Sequence, residues 1–322
     1  AKDVMKKFPL LARQLTIDVG SNDGVLLKPL KKLGARALGV DPATNITTIV
    51  NKEHLETIND FFGSHIIPRI FNTYGKAGII TANNVLAHTD KIHDILNATK
   101  QILDPNGVFI FEIQYLADLL QKNEFDAMYH EHICYFSLHS ITYLLEQYDL
   151  QVFDVLHVDN HGGSLRVYAS HKSGPFRVKN SVQKLIQKER ALKLNEEKIY
   201  KKFAKQPLII RKTLTGMLKN LKKQGKKIVG YGAPAKATTL LNFCSITNQT
   251  IDYITDTTFS KQNLFMPGNL IPILPPETIK ENIPDYIIIL AWNSAEPIMK
   301  KEQWFTKQGG KFIIPIPYPK IL

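Results

Sequence analysis

The 322 residues, 44% hydrophobic and 22% charged, suffice for two globular domains and exclude a fibrous or disordered chain. No apolar run approaches the ~20 residues of a membrane span, and Lys2, Asp3, Lys6 and Lys7 interrupt any secretory leader, so no membrane partner is expected. Two cysteines, Cys134 and Cys244, exclude a disulfide framework and a cysteine-only zinc site; with no metal and no export signal expected, the free thiols point to the cytoplasm.

The opening Ala1-Lys2-Asp3-Val4-Met5 reads as the interior of a helix, so the chain is expected to be a fragment or to lack an upstream module. Short apolar runs then alternate with amphipathic stretches, the pattern of a parallel α/β sheet. Strands are expected at Leu15–Val19, Ala37–Val40, Ala77–Ala82 and Val108–Glu112, with helices at Val25–Leu33 and Lys91–Leu103 and a turn at Asp104–Gly107. A helix over 136–150 and two strands, Val152–His157 and Ser164–Ser170, complete this half.

From Val178 to Gln224 the periodicity is helical, with a break expected near Pro207. The formal charge of +12 resides here: residues 177–227 carry 17 Lys or Arg against 3 acids, and the rest of the chain 24 against 26. No aromatic stacking platform accompanies the lysines, so the segment reads as the solvated face of a helical linker rather than a nucleic-acid grip. A second α/β unit follows, with strands at Ile228–Tyr231, Thr250–Thr255, Tyr286–Leu290 and Lys311–Pro315, a helix at Ala235–Phe243 and an extended tail to Pro319. The expected domains are 1–157, 158–226 and 227–322.

Chemistry concentrates in a few places. Gly20 and Gly24, in Gly20-Ser21-Asn22-Asp23-Gly24, follow the first strand and precede a helix, where a backbone can approach a ligand closely. Asp41 follows the second strand, placed to accept ribose hydroxyls. This combination is the pattern of class I S-adenosylmethionine-dependent methyltransferases. An ordinary turn and a solvent-facing acid would look the same. The spacing is not the dinucleotide fingerprint. Asp60, before Phe61-Phe62, can meet an adenine amino group with an aromatic on the ring, or cap a helix beside two core phenylalanines. Asn83, Asn84 and Asn22 would face the same crevice. Tyr129-His130-Glu131-His132 is the densest cluster. Methyl transfer to carbon needs a base and groups that stabilise an enolate, and a histidine tuned by a neighbouring Glu suits the first role. The histidines could equally be structural; a metal reading lacks a third ligand at suitable spacing, and a serine triad lacks its elbow. His88 follows the strand ending at Asn83 and could reach the crevice.

Taken together, Ile17–Lys28, Ala82–His88, Tyr129–Ser137, His161–Tyr168, Gly230–Asn242, Pro284–Asn293 and Gly309–Pro317 resemble the sugar C-methyltransferases that act on nucleotide-linked 4-keto deoxysugars. The resemblance implies a Rossmann-like S-adenosylmethionine methyltransferase domain, a helical linker and a second Rossmann-like, nucleotide-sugar-binding domain. It implies His132 as the base that removes the sugar C3 proton, Tyr129 and Glu131 as residues that position the substrate or tune the base, and His88 near the keto oxygen. S-adenosylhomocysteine is the implied by-product, and the implied partner is a dTDP- or other NDP-linked 4-keto sugar, not a nucleic acid. Substrate contacts are expected from Glu112, Arg166, Gly232 and Lys236. In the second unit, Gly230 and Gly232 let a helix N-terminus approach a phosphate and Lys236 adds charge, so this loop with Arg166 is expected to hold the diphosphate. Relatives carry a cysteine-rich zinc module ahead of this region, which these residues do not contain, and commonly a proline where Gln114 stands, which bears on substrate choice. Two other functions fit the same residues. One is a nucleotide-sugar-binding pseudoenzyme. The other is an NAD-dependent nucleotide-sugar oxidoreductase, disfavoured by the first loop and by the lack of a Tyr-x-x-x-Lys pair.

Overall fold

Leu15–Val19 is buried along its whole length, Thr16 and Asp18 included, as a central strand of a parallel sheet covered on both faces requires. In a computed structural model describing residues 1–322, the side chain of His161 excepted, it is β1 of a seven-stranded sheet. The others are β2 (Arg36–Val40), β3 (Thr57–Ile58), β4 (Ala77–Asn83), β5 (Leu103–Gln114), β6 (Leu150–Val158) and β7 (Ser164–His171). They lie in the order β3-β2-β1-β4-β5-β7-β6. The first five are parallel, and β7 runs antiparallel between β5 and β6. The chain steps outward from β1 to β3 and then returns to β4 on the other side of β1. The crevice at the carboxyl ends of β1 and β4 is therefore a topological switch point.

The turn expected at Asp104–Gly107 lies within the bounds of β5, as a bulge between the Leu103–Ala77 and Val108–Ile79 pairs in which the Asn106 N–H donates to Asp104 Oδ1 at 2.9 Å. A boundary at residue 157 would cut the β6–β7 hairpin, whose strands pair from Leu150–His171 to Val158–Ser164. The chain divides instead into one unit of residues 1–117 and 131–194, and a second of 118–130 and 195–322.

The basic segment is not one linker. The helix Asn180–Ala191 belongs to the first unit, where Glu189 accepts hydrogen bonds from the Leu138 and His139 N–H groups at 2.6 and 2.9 Å and so caps the helix Leu138–Glu146. The helix Glu197–Lys223 belongs to the second unit. It buries Phe203, Ile210, Leu214, Leu218 and Leu221, a helical stripe, and turns nearly all its lysines outward. It continues through Pro207, and the break falls at Leu192–Glu196, where Lys193 takes a left-handed φ of 59°. A buried stripe on both sides of the proline outweighs the one lost N–H bond.

The second sheet contains β8 (Ile228–Tyr231), β9 (Ile254–Thr255), β10 (Ile273–Leu274), β11 (Tyr286–Ile289), β12 (Lys311–Ile314) and β13 (Lys320–Ile321). Its order, β10-β9-β8-β11-β12-β13, is the doubly wound arrangement, with its own switch point between β8 and β11. The tail turns back after β12, and β13 pairs antiparallel with it.

The N-terminal helix Lys2–Lys7 is tied to the first sheet by one carboxylate. Asp154 accepts from Lys7 Nζ at 2.9 Å, Lys179 Nζ at 2.9 Å and Ser181 Oγ at 2.8 Å. Lys7 Nζ also stands 3.6 Å from the Tyr168 ring centroid. Burial pushes the Asp154 carboxyl upward, but its three donors win and hold it down at about 2. The contribution is present above pH 4 and lost as pH falls toward 2. Asp154→Asn is expected to cost about 2 kcal/mol at pH 7 by denaturant unfolding and clearly less at pH 3.

Candidate active site

At the first switch point lies a cavity of about 910 Å³, lined among others by Gly20, Asn22, Asp41, Asp60, Phe61, Asn83, Asn84 and His88. Gly20 follows β1 with φ 65°, and a Cβ there would stand 2.7 Å from a Val85 methyl, so only glycine permits this turn. Its N–H donates to the Val40 carbonyl at 2.9 Å. Asp41, just past β2 and 7% exposed, accepts the Asn22 N–H on Oδ2 and the Ala43 N–H on Oδ1, both at 2.9 Å. A carboxylate has about four acceptor positions, so roughly two remain for a vicinal diol. Gly24 is not part of the wall. It turns the chain and packs against Leu55.

Asp60 sits half-exposed at the rim. The His65 ring, the Phe61 N–H and nearby cationic charge hold its carboxyl below the usual range. Both phenylalanines after it line the cavity: Phe61 is 65% exposed and Phe62 is buried. The cavity volume, the two open positions on Asp41 and the exposed Phe61 face fit a nucleoside cofactor.

His88 ends the turn Leu86–His88, and its backbone neighbour Ala87 accepts the Ile133 N–H at 2.8 Å and the Cys134 N–H at 3.3 Å. These bonds dock the segment after Glu131 onto the turn. They bring the His132 and His88 ring centroids to 4.7 Å, with the rings at 72°. His132 also has Tyr135 at 6.3 Å. Glu131 is exposed in the same unit, whereas Tyr129, 6.2 Å from the His130 ring, falls in the segment grouped with the second unit.

Glu112 and Arg166 face each other across β5 and β7. The guanidinium grips one carboxylate oxygen through Nε at 2.7 Å and Nη2 at 2.6 Å, and Asn160 approaches the other at 3.4 Å. Burial lowers the Arg166 pKa, but Glu112 more than reverses this, so the arginine's charge is already matched within its own unit.

In the second unit, Gly232 follows β8 with φ 84°, and Lys236 lies in the helix Ala235–Phe243. Lys236 Nζ sits 3.9 Å from the Trp292 ring centroid, and Trp292 Nε1 donates to Asp126 Oδ2 at 2.7 Å. Burial raises the Asp126 carboxyl to about 6 despite Lys236, and burial likewise lowers Lys236. Neither Asp126 nor Trp292 is conspicuous in the sequence: Trp292 lies within Pro284–Asn293, and nothing local marks Asp126.

A buried acid stands behind the first loop. Asp18, in β1, is 4% exposed and receives Thr81 Oγ1 at 2.6 Å. Burial lifts its carboxyl to about 6; the Thr81 bond opposes this and the Asp41 charge adds to it.

The strand order, the glycine turn after β1 and the pinned acid after β2 define a class I S-adenosylmethionine-dependent methyltransferase unit. The chain belongs to the C-methyltransferase family: the profile of the C-methyltransferase C-terminal domain matches residues 159–317, and that of the methyltransferase domain residues 4–155. It is 36% identical to the C-methyltransferase NovU of Streptomyces niveus over 318 residues, covering 99% of this chain and 76% of that one. A ubiquinone biosynthesis O-methyltransferase of Glaesserella parasuis is 29% identical over 29% of this chain and 42% of its own. Among solved structures, the magnesium protoporphyrin IX methyltransferase of Synechocystis superposes with a TM-score of 0.42 at 13% identity, covering 52% of this chain and 79% of that one. The protein is thus an S-adenosylmethionine-dependent C-methyltransferase. No described helix is long and apolar enough to cross a membrane.

Below pH 4 Asp18 is neutral folded or unfolded; between pH 4 and 6 the folded state alone keeps the proton, so stability falls as pH rises. Asp18→Asn is therefore expected to raise Tm at pH 8, by the equivalent of about 2–3 kcal/mol, with the gain vanishing near pH 4. For the cofactor pocket, Asp41→Ala is expected to weaken S-adenosylhomocysteine binding by roughly tenfold or more in calorimetric titration.

Proposed function

We propose that this enzyme methylates carbon 3 of a nucleotide-linked 4-keto deoxysugar through an enolate. The observation that supports this most is the pairing of the His88 and His132 rings, with His88 on the wall of the cofactor cavity. A carbon acid beside a ketone needs a base of near-neutral pKa and a donor for the developing oxyanion within one small volume. His132 takes the C3 proton, and His88 hydrogen-bonds the C4 oxygen as negative charge moves onto it. The enolate carbon is then the nucleophile for the new C–C bond. When bound, S-adenosylmethionine supplies the electrophilic methyl group, and S-adenosylhomocysteine is released.

Glu131 and Tyr129 orient the substrate or keep His132 basic. Asp41 holds the cofactor ribose; Asp60 and Phe61 take the adenine, and Gly20, Asn22, Asn83 and Asn84 shape the crevice around it. Glu112 with Arg166 contributes to the sugar side as a neutral pair, its two charges already matched. The Gly232 turn and Lys236 hold the diphosphate. The likeness to a C-methyltransferase over nearly the whole chain supports the carbon target.

Solvent exchange isolates the first step. With a thymidine-diphosphate-linked 4-keto-6-deoxyhexose in deuterium oxide, His132→Asn is expected to reduce deuterium uptake beside the ketone by at least about a hundredfold. Undiminished exchange would sink the assignment of His132. Lys236→Ala is expected to raise the nucleotide-sugar KM by roughly tenfold, and an unchanged KM contradicts the diphosphate role.

A further inference from the structure

Two cations serve the proposed nucleotide-sugar site, and the fold holds them in opposite ways. Arg166 is gripped by the Glu112 carboxylate through Nε at 2.7 Å and Nη2 at 2.6 Å, which spends donors and matches the charge. Lys236 is held by a ring instead. Its Nζ stands 3.9 Å from the Trp292 ring centroid, and among the described residues it makes no hydrogen bond and no ion pair. An ammonium drawn to the face of an indole keeps all three of its N–H donors. Lys236 is also only partly buried, so those donors are open to a ligand, and phosphate oxygens are acceptors that suit them.

Strand pairing brings the ring and the cation together. Lys236 lies in the first turn of the helix after β8, and Trp292 opens the short turn after β11. The two strands are parallel neighbours, paired from Ile228–Tyr286 to Tyr231–Ile289. Beyond them the Leu290 N–H donates to the Tyr231 carbonyl at 3.0 Å, so the chain leaving β11 stays beside the chain leaving β8. Both residues therefore stand at the carboxyl ends of the second sheet's central strands, where open α/β sheets bind ligands.

The indole plane is fixed from its edge. Trp292 is 7% exposed, and its Nε1–H donates to Asp126 Oδ2 at 2.7 Å in a buried bond. Asp126 belongs to the same unit, and its turn, Phe125–Ala127, packs on the helix that carries Lys236, with the Phe125 and Phe243 ring centroids 5.1 Å apart. A carboxylate at the N–H edge also pushes electron density toward the ring face, which strengthens the attraction for a cation there.

We propose that Trp292 is a positioning residue of the diphosphate grip: its ring, held in plane by Asp126, carries the Lys236 ammonium and leaves its N–H donors to the phosphate oxygens. This rests on the reading of Lys236 as a diphosphate ligand and adds the residue through which that lysine is placed.

The test is calorimetric titration of the whole chain with thymidine diphosphate. Trp292→Leu removes the ring and is expected to weaken binding by roughly fivefold or more. Trp292→Phe restores a ring face and is expected to recover most of that affinity. In a Lys236→Ala background, Trp292→Leu is expected to change affinity by less than about twofold, because a residue that acts through Lys236 then has nothing left to place. A second measurement leaves the ring in the protein. Trp304 is the other of the two tryptophans, so Trp304→Phe makes the emission of Trp292 readable alone. Excited beyond the absorption of thymine, that emission is expected to shift at saturating thymidine diphosphate, and the shift is expected to vanish in Lys236→Ala. Full affinity in Trp292→Leu, an equal loss with and without Lys236, or an emission indifferent to bound nucleotide would overturn the proposal. A loss in Lys236→Ala with full affinity in Trp292→Leu overturns this proposal alone, whereas unchanged affinity in Lys236→Ala overturns the diphosphate reading and this proposal with it.

Discussion

Asp41 accepts the N–H groups of Asn22 and Ala43, and the first ligand loop takes its shape from that carboxylate. Strand order brings the carboxyl ends of β1, β2 and β4 together, but strand order alone leaves the connecting loop free. One buried acid bonded to backbone on both sides fixes the loop's path and still has acceptor positions facing the cavity. Gly20 is the complementary requirement, since the left-handed turn beside Val85 has no room for a Cβ. Asp18, two residues before Gly20 in β1, is raised to about 6 by burial, with the Asp41 charge adding to the shift, so above that pH this edge carries two carboxylates.

The reacting end depends on a different kind of contact. Two N–H groups of Ile133 and Cys134 converge on the Ala87 carbonyl, and these backbone bonds dock the segment that carries His132 onto the turn that carries His88. In the second unit the corresponding contacts are electrostatic: Trp292 joins Lys236 and Asp126, and each of these two charges opposes the shift that burial imposes on the other.

Much of this was legible in the sequence because it is local. The apolar runs at Leu15–Val19 and Ile228–Tyr231, the glycines after them and Asp41 after the second run each carry their meaning within a few residues. What was not legible depends on pairing. The two-residue strands β3, β10 and β13 have no periodicity of their own and exist only because a neighbour offers hydrogen bonds. The Glu112–Arg166 pair is a consequence of β5–β7 register, which turned an expected free cation into a matched one. Trp292 and Asp126 are 166 residues apart. Pro207 misled for the opposite reason: a local breaking signal lost to a stripe of buried side chains.

The central claim, transfer of a methyl group to carbon, is tested most directly by following the methyl itself. With S-adenosylmethionine carrying a ¹³C-labelled methyl group and a uniformly ¹³C-labelled nucleotide-linked 4-keto deoxysugar as acceptor, the product's NMR spectrum reports the atom to which the methyl label is joined. The account predicts one-bond carbon–carbon coupling between the label and the ring carbon beside the ketone. A label joined to oxygen or nitrogen, or to a carbon not adjacent to the ketone, would contradict it.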